Sequence, residues 1–137
     1  MSISVMNKEE VLSNLIDVQD LPVIDVWGEA VRARRVQGER ITLALVELAP
    51  DAVVPGHQHE AEQLGMVIEG SVTFTIGDER RELGPGGMWR IPSNVPHQVT
   101  TGPAGATVID LFAPPRADWD GLPFGPPRPA VGWPLRP

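Results

Sequence analysis

The sequence predicts an all-β protein folded as an antiparallel sandwich or barrel, and three observations indicate this class. About nine short apolar runs are spaced regularly between turn residues, and the chain contains 14 Gly and 15 Pro. Val72, Phe74 and Ile76 alternate with Ser and Thr, which is the period of two expected of a strand. No long helix is expected between the runs, and evenly spaced short strands with turn signals indicate an antiparallel sandwich or barrel.

The expected elements fill one domain over residues 1–137. A short helix at 7–16, capped by Asn7, belongs to an N-terminal extension of residues 1–20. The barrel then occupies residues 21–112. Its clearest strands are expected at 30–36, 40–48, 63–70, 71–77, 97–101 and 106–112.

The C-terminal segment, residues 113–137, has a different composition. It holds 8 of the 15 prolines, which exclude it from a central strand. It also contains Trp119, Phe124 and Trp133, and a disordered tail rarely carries such large aromatic residues. We therefore expect a Pro-rich strap that packs on the barrel or on a second subunit, and a homodimer.

Composition excludes several classes of protein. The absence of cysteine excludes disulfides and thiolate metal sites. A formal net charge of −7 disfavours binding to nucleic acid. No stretch approaches the ~18 apolar residues of a membrane span, and the N-terminus has no signal-peptide pattern. The expected protein is cytoplasmic, with a small-molecule substrate and no membrane partner.

The three histidines of the chain suggest a metal site. His57 and His59 are two residues apart, so on a strand they point to the same face. His97 follows the turn residues "IPSNVP" and opens a separate strand. Two imidazoles from one strand and a third from another are a common way to hold one divalent first-row metal ion.

Both histidine segments resemble the motifs of the cupin family. "GHQHEAEQLGMVIEG" is similar to the first motif, G-x5-H-x-H-x3-4-E-x6-G, and "GGMWRIPSNVPHQV" to the second, G-x5-P-x-G-x2-H. The resemblance covers roughly residues 40–112 and implies a double-stranded β-helix (jelly-roll) barrel with the metal inside one end. The matching positions are His57, His59 and Gly70 in the first motif and Gly86, Pro92 and His97 in the second, with Asn94 replacing a glycine.

Gln63 stands where the first cupin motif has a glutamate, seven residues before Gly70. The neighbouring Glu62 would face the opposite way on a strand. The resemblance thus implies a site of three imidazoles and one neutral amide, in which a divalent ion keeps its full charge. Zn, Ni, Fe and Mn all suit these donors, and the two-His-one-carboxylate triad of many iron oxygenases is missing.

The run "DLFAPPR" at 110–116 resembles the corresponding segment of KdgF-type cupins, which linearise unsaturated uronates. That family holds its metal with three His and one Gln. The resemblance implies that Asp110 transfers a proton, Arg116 binds the substrate carboxylate and contributes to catalysis, and Phe112 packs against the sugar ring. Alternatively, Asp110 and Arg116 form a structural ion pair and Phe112 is plain core. Trp89 and Arg90 are interpreted as core and rim residues.

Four functions stay open at this point. The first is a metal-dependent lyase or isomerase that acts on a small carboxylated sugar or keto acid. The second is a cupin polyketide cyclase, which would need a longer cavity. The third is a dioxygenase of the quercetinase or diketone-cleaving type, which would consume O2. The fourth is a non-catalytic metal- or ligand-binding cupin.

Overall fold

The structure is a computed structural model that describes residues 13–129, and it is almost entirely β. Two short 3-10 turns, Val18–Asp20 and Ala117–Gly121, are the helical elements of that part of the chain. Its strands are β1 (Val23–Asp25), β2 (Val31–Gln37), β3 (Thr42–Leu48), β4 (Val53–His57), β5 (Glu62–Ile76), β6 (Glu79–Leu83), β7 (Met88–Ile91), β8 (His97–Ala113) and β9 (Phe124–Gly125). The predicted all-β class is confirmed.

The strands pair in the order β6-β5-β8-β3-β2-β1-β9, with β4 also on β8 and β7 also on β5. Every pairing is antiparallel. β8 is the hub because its first half pairs with β4 and its second half with β3, while β5 runs beside both halves. β5 and β8, the two longest strands, therefore contribute residues from both of their halves to the barrel interior.

Two predicted strand boundaries are wrong. Residues 63–70 and 71–77 form the single strand β5, and residues 97–101 and 106–112 form the single strand β8. Gly70 has a φ of 83° and Gly105 a φ of 71°, and the β5–β8 register shifts beside Gly70. A Cβ at Gly70 would overlap the Gly105 carbonyl. The glycines thus bend two paired strands together instead of ending them in turns.

The two terminal predictions fall partly outside the described residues. Of the predicted helix, residues 7–12 lie outside them, and residues 13–16 form no helix. Trp133 also lies outside them. The described part of the C-terminal segment packs on the barrel, since β9 pairs with β1 and Trp119 is buried in the core. No helix in residues 13–129 is long and apolar enough to cross a membrane.

Candidate metal centre and its cavity

The three histidines meet at one end of the barrel interior. His57 ends β4 and is paired with His97, the first residue of β8. Their ring centroids are 4.3 Å apart, and the His59 ring lies 4.8 Å from that of His97. His59 lies two residues beyond the end of β4, so the turn into β5, not strand alternation, brings it to the cluster. One nitrogen from each ring lies within 4.8 Å of the other two.

Each imidazole is oriented by a backbone carbonyl two residues away along the chain. A neutral ring whose Nδ1–H donates to a carbonyl keeps an unprotonated Nε2, which can bind a metal. His97 Nε2 is buried and has no hydrogen-bond partner within residues 13–129. The three Nδ1 contacts are His57 to Pro55 O at 2.9 Å, His59 to Ala61 O at 2.7 Å and His97 to Val95 O at 2.9 Å.

The pKa values of two of these rings favour the neutral form. Burial, partly offset by the bond to the Val95 carbonyl, lowers the pKa of His97 to about 4. Burial first, and then the charge of Arg116, lower the pKa of His59. A metal ion competes with protons for imidazole nitrogen, so rings that are neutral at pH 7 are prepared for metal binding.

Gln63 on β5 completes the donor set. Its amide NH2 donates to Asp110 Oδ1 at 2.9 Å, which leaves Oε1 directed towards the histidines, 3.2 Å from His59 Nε2. Because the proton of His59 is on Nδ1, where it is donated to the Ala61 carbonyl, His59 Nε2 and Gln63 Oε1 point lone pairs at each other. Such an approach is relieved by a shared cation, and the residues present therefore fit a divalent metal ion. Glu62 is exposed, whereas Gln63 is buried.

Asp110 is buried on β8 and is held by two donors. Gln63 Nε2 and Trp89 Nε1 both bond to its Oδ1 at 2.9 Å. Burial raises the pKa of Asp110 to about 6, although these two hydrogen bonds and the charge of Arg116 lower it. The carboxylate is therefore mostly ionised at pH 7, with a pKa much closer to neutrality than usual.

Sequence reasoning missed the roles of Trp89 and Gly65. Trp89 is buried, as its interpretation as a core residue predicts, but its indole N–H also donates to Asp110 Oδ1. Gly65 pairs with Trp89 on β7 and with Asp110 on β8. A Cβ there would overlap the indole and Asp110 Oδ1. No motif marked Gly65, although an isolated glycine inside a strand pattern often indicates a close approach.

A cavity of about 320 Å³ connects the histidines with Asp110. Phe112 forms part of its wall, 6.0 Å from the His59 ring and 5.3 Å from the Trp119 ring between centroids. Arg116 lies over both of these aromatic rings, 4.8 Å from Phe112 and 4.9 Å from Trp119. The cavity therefore joins a group able to hold a metal, a buried carboxylate and a cation.

The expected alternative of an Asp110–Arg116 ion pair is wrong. Arg116 instead binds Asp118, with Nε at 2.9 Å from Oδ1 and Nη2 at 2.8 Å from Oδ2. The guanidinium also packs against the adjacent rings of Phe112 and Trp119. Asp110 keeps Gln63 and Trp89 as its partners.

The turn that carries Arg116 is fixed by β2 and β3. Arg35, a buried residue of β2, donates to the Arg116 carbonyl at 3.0 Å and forms an ion pair with Asp120. The Arg116 amide donates to Thr42 Oγ1 at 3.1 Å. Charge-assisted bonds to a buried guanidinium are strong, so the barrel itself holds the backbone of Arg116 beside the cavity that this residue lines.

Comparison with known proteins agrees with this geometry. A family model described as "Cupin domain" matches residues 44–112. The chain is 28% identical to the pectin degradation protein KdgF of Dickeya dadantii over 94 residues, which are 67% of this chain and 86% of that protein. It is 33% identical to the H2HPP isomerase of Bacillus subtilis over 87 residues, or 59% of this chain, and it spans about a third (36%) of that protein.

Solved structures share the fold. An RmlC-like cupin from Shewanella frigidimarina superposes with a TM-score of 0.72 at 20% identity, over 78% of this chain and 96% of that one. KdgF from Halomonas sp. superposes with a TM-score of 0.65 at 28% identity, over 70% of this chain and 88% of that one. The expected jelly-roll cupin fold and the resemblance to small cupins of the KdgF type are confirmed.

Proposed function

The chain belongs to the Cupin domain family, and on that premise we propose that it is a metal-dependent lyase or isomerase of a small anionic sugar acid or keto acid. One observation carries the proposal: Asp110 accepts a hydrogen bond from Gln63, which lies beside the three histidines, and it lines the same cavity as Arg116. The similarity to KdgF and to an enzyme named an isomerase supports this reaction class.

His57, His59, Gln63 and His97 are the residues that would hold one divalent ion, with Zn, Ni, Fe and Mn as candidates. When bound, the ion would supply electrophilic polarisation of a substrate oxygen. All four donors are neutral, so the protein would not offset the charge of the ion through its ligands. The site would therefore favour an anionic substrate.

Asp110 transfers the proton in this proposal. Its Oδ1 is engaged by Gln63 and Trp89, which leaves Oδ2 for the substrate. A pKa of about 6 allows the ionised group to accept a proton at pH 7 and to return it. With an unsaturated uronate, Asp110 would remove the proton of the anomeric hydroxyl. Ring opening then forms a carbonyl at that carbon, and protonation at carbon 4 converts the released enol to a ketone.

Arg116 and Phe112 orient the substrate. The planar guanidinium matches a carboxylate through two parallel hydrogen bonds. Phe112 lines the cavity beside His59 but is only 2% exposed, so it could offer a sugar ring no more than an edge and mainly supports Arg116 from the core. Both residues act by placing the reacting atoms near Asp110.

The test is whether the protein turns over the 4,5-unsaturated uronates that are released from pectin and alginate. Turnover is monitored as the loss of the ultraviolet absorbance of their conjugated double bond. Asp110→Asn should keep the metal content and lower kcat by about 10²-fold or more, the usual contribution of a positioned base. Arg116→Ala should mainly raise KM. Wild-type turnover by Asp110→Asn would make Asp110 structural, and substrate-dependent O2 consumption would favour an oxygenase instead.

A further inference from the structure

The guanidinium of Arg116 has one edge occupied and one edge free. Asp118 takes the edge formed by Nε and Nη2. Nη1 has no hydrogen bond or ion pair within the described part of the chain, and Arg116 lines the cavity. The edge formed by Nη1 and the second Nη2 hydrogen can therefore receive one further planar anion in a forked arrangement.

This free edge is rigidly presented. The guanidinium packs against the adjacent rings of Phe112 and Trp119. The backbone of Arg116 is bonded on one side to Thr42 and on the other to Arg35. A ligand that binds there does not have to order the arginine, so little affinity is lost to side-chain entropy.

Asp118 places a negative charge beside any anion that binds at this edge. Its hydrogen bonds to Arg116, the largest cause, lower its pKa, so it is ionised at neutral pH. Two anions on adjoining edges of one guanidinium lie about 6 Å apart. At an effective dielectric constant of about 40, repulsion by Asp118 then lowers the affinity of a ligand about tenfold for each unit of negative charge that the ligand carries. A doubly charged group suffers this repulsion twice.

We propose that Asp118 is a specificity-determining residue that restricts the Arg116 subsite to singly charged head groups, so that carboxylates are accepted and phosphate monoesters are rejected. The inference rests on the proposed function, in which Arg116 binds the substrate carboxylate. The cavity accordingly selects unphosphorylated sugar acids from among sugar acids and sugar phosphates.

The experiment compares D-glucuronate with D-glucose 6-phosphate, which carry a carboxylate and a phosphate on the same sugar. Dissociation constants are measured at pH 7.5 by calorimetry or NMR titration on metal-loaded wild-type protein, Asp118→Asn and Asp51→Asn. Asp51→Asn removes the same charge at an exposed position outside the cavity lining and is the matched control. Direct attraction of phosphate to the metal is common to all three proteins and cancels in the comparison.

Wild type and Asp51→Asn should prefer glucuronate, and Asp118→Asn should shift the ratio of the two dissociation constants about tenfold towards the phosphate. Arg116→Ala should weaken glucuronate binding in parallel. An unchanged ratio in Asp118→Asn, equal weakening of both ligands, or no binding of either ligand to wild type would each overturn the proposal. Neither probe carries the double bond that is rearranged. Failure of the proposed reaction therefore appears in the uronate assay, separately from this ratio.

Discussion

Replacing Gly65 with alanine should disrupt the contact between Trp89 and Asp110. The added Cβ would lie more than about 1 Å inside the normal ~3.5 Å separation from both the indole and Asp110 Oδ1. Both groups are buried and the 2.9 Å hydrogen bond joins them, so one of them must move away. Overpacking costs about 1–3 kcal/mol, and loss of a hydrogen bond to a charged group costs about 1.5–3 kcal/mol. The free energy of unfolding should therefore fall by about 2.5–6 kcal/mol.

Urea unfolding of the metal-free protein is the assay. With an m-value of about 1.5 kcal/mol/M, the midpoint should fall by about 1.5 M or more. Gly56→Ala is the matched control, because a Cβ on this glycine of β4 would make only an ordinary contact with Gln98. Trp89→Phe should cost about 1.5–3 kcal/mol through the hydrogen bond alone. The Gly65→Ala/Trp89→Phe double variant should lose less free energy of unfolding than the sum of the two single variants, because both changes break the same Trp89–Asp110 hydrogen bond. A Gly65→Ala protein within 0.5 kcal/mol of wild type, about the noise of such measurements, would refute the reasoning.

Three further predictions concern the metal, pH and assembly. His97→Ala should bind Zn or Mn at least about 100-fold more weakly in a chelator competition, whereas Glu62→Gln should bind normally; the reverse pattern would show that Glu62 is the ligand. In the metal-free protein, the pKa of Asp110 is raised, so Asp110 stabilises the fold below pH 3.8 and this contribution is lost as the pH rises to about 6. The pKa of His97 is lowered, so its effect is the opposite: the free energy of unfolding increases between pH 4 and 6.5. Asp110→Asn should therefore gain stability more steeply than wild type from pH 4.5 to 6 in urea titrations, and parallel profiles would contradict these opposing slopes. Sedimentation should give a homodimer of 14.8 kDa subunits, and a monomeric mass at 100 µM would remove that expectation.

The sequence by itself determined the features that depend on local pattern. Alternation and turn residues were enough to predict the all-β class, because strand periodicity is a property of neighbouring residues. The spacing of His57 and His59 and the separate strand opened by His97 predicted a cluster of histidines, and the resemblance to the cupin motifs added Gln63 to it. The structure places all three histidine rings at one point, with Gln63 Oε1 directed at them.

Tertiary structure decided whatever depends on strands distant in the chain. Whether Gly70 and Gly105 end strands or bend them depends on the β5–β8 pairing that brings them together. The partners of Asp110 come from two other strands, and its bond to Trp89 passes directly over Gly65. Arg116 lies close to Asp110 in sequence, but its partners are other residues. Arg35, 81 residues before Arg116, donates to its backbone carbonyl, and Asp118 accepts hydrogen bonds from its side chain. A sequence pattern shows which groups are present, whereas their hydrogen bonds depend on packing between elements that only the folded chain brings into contact.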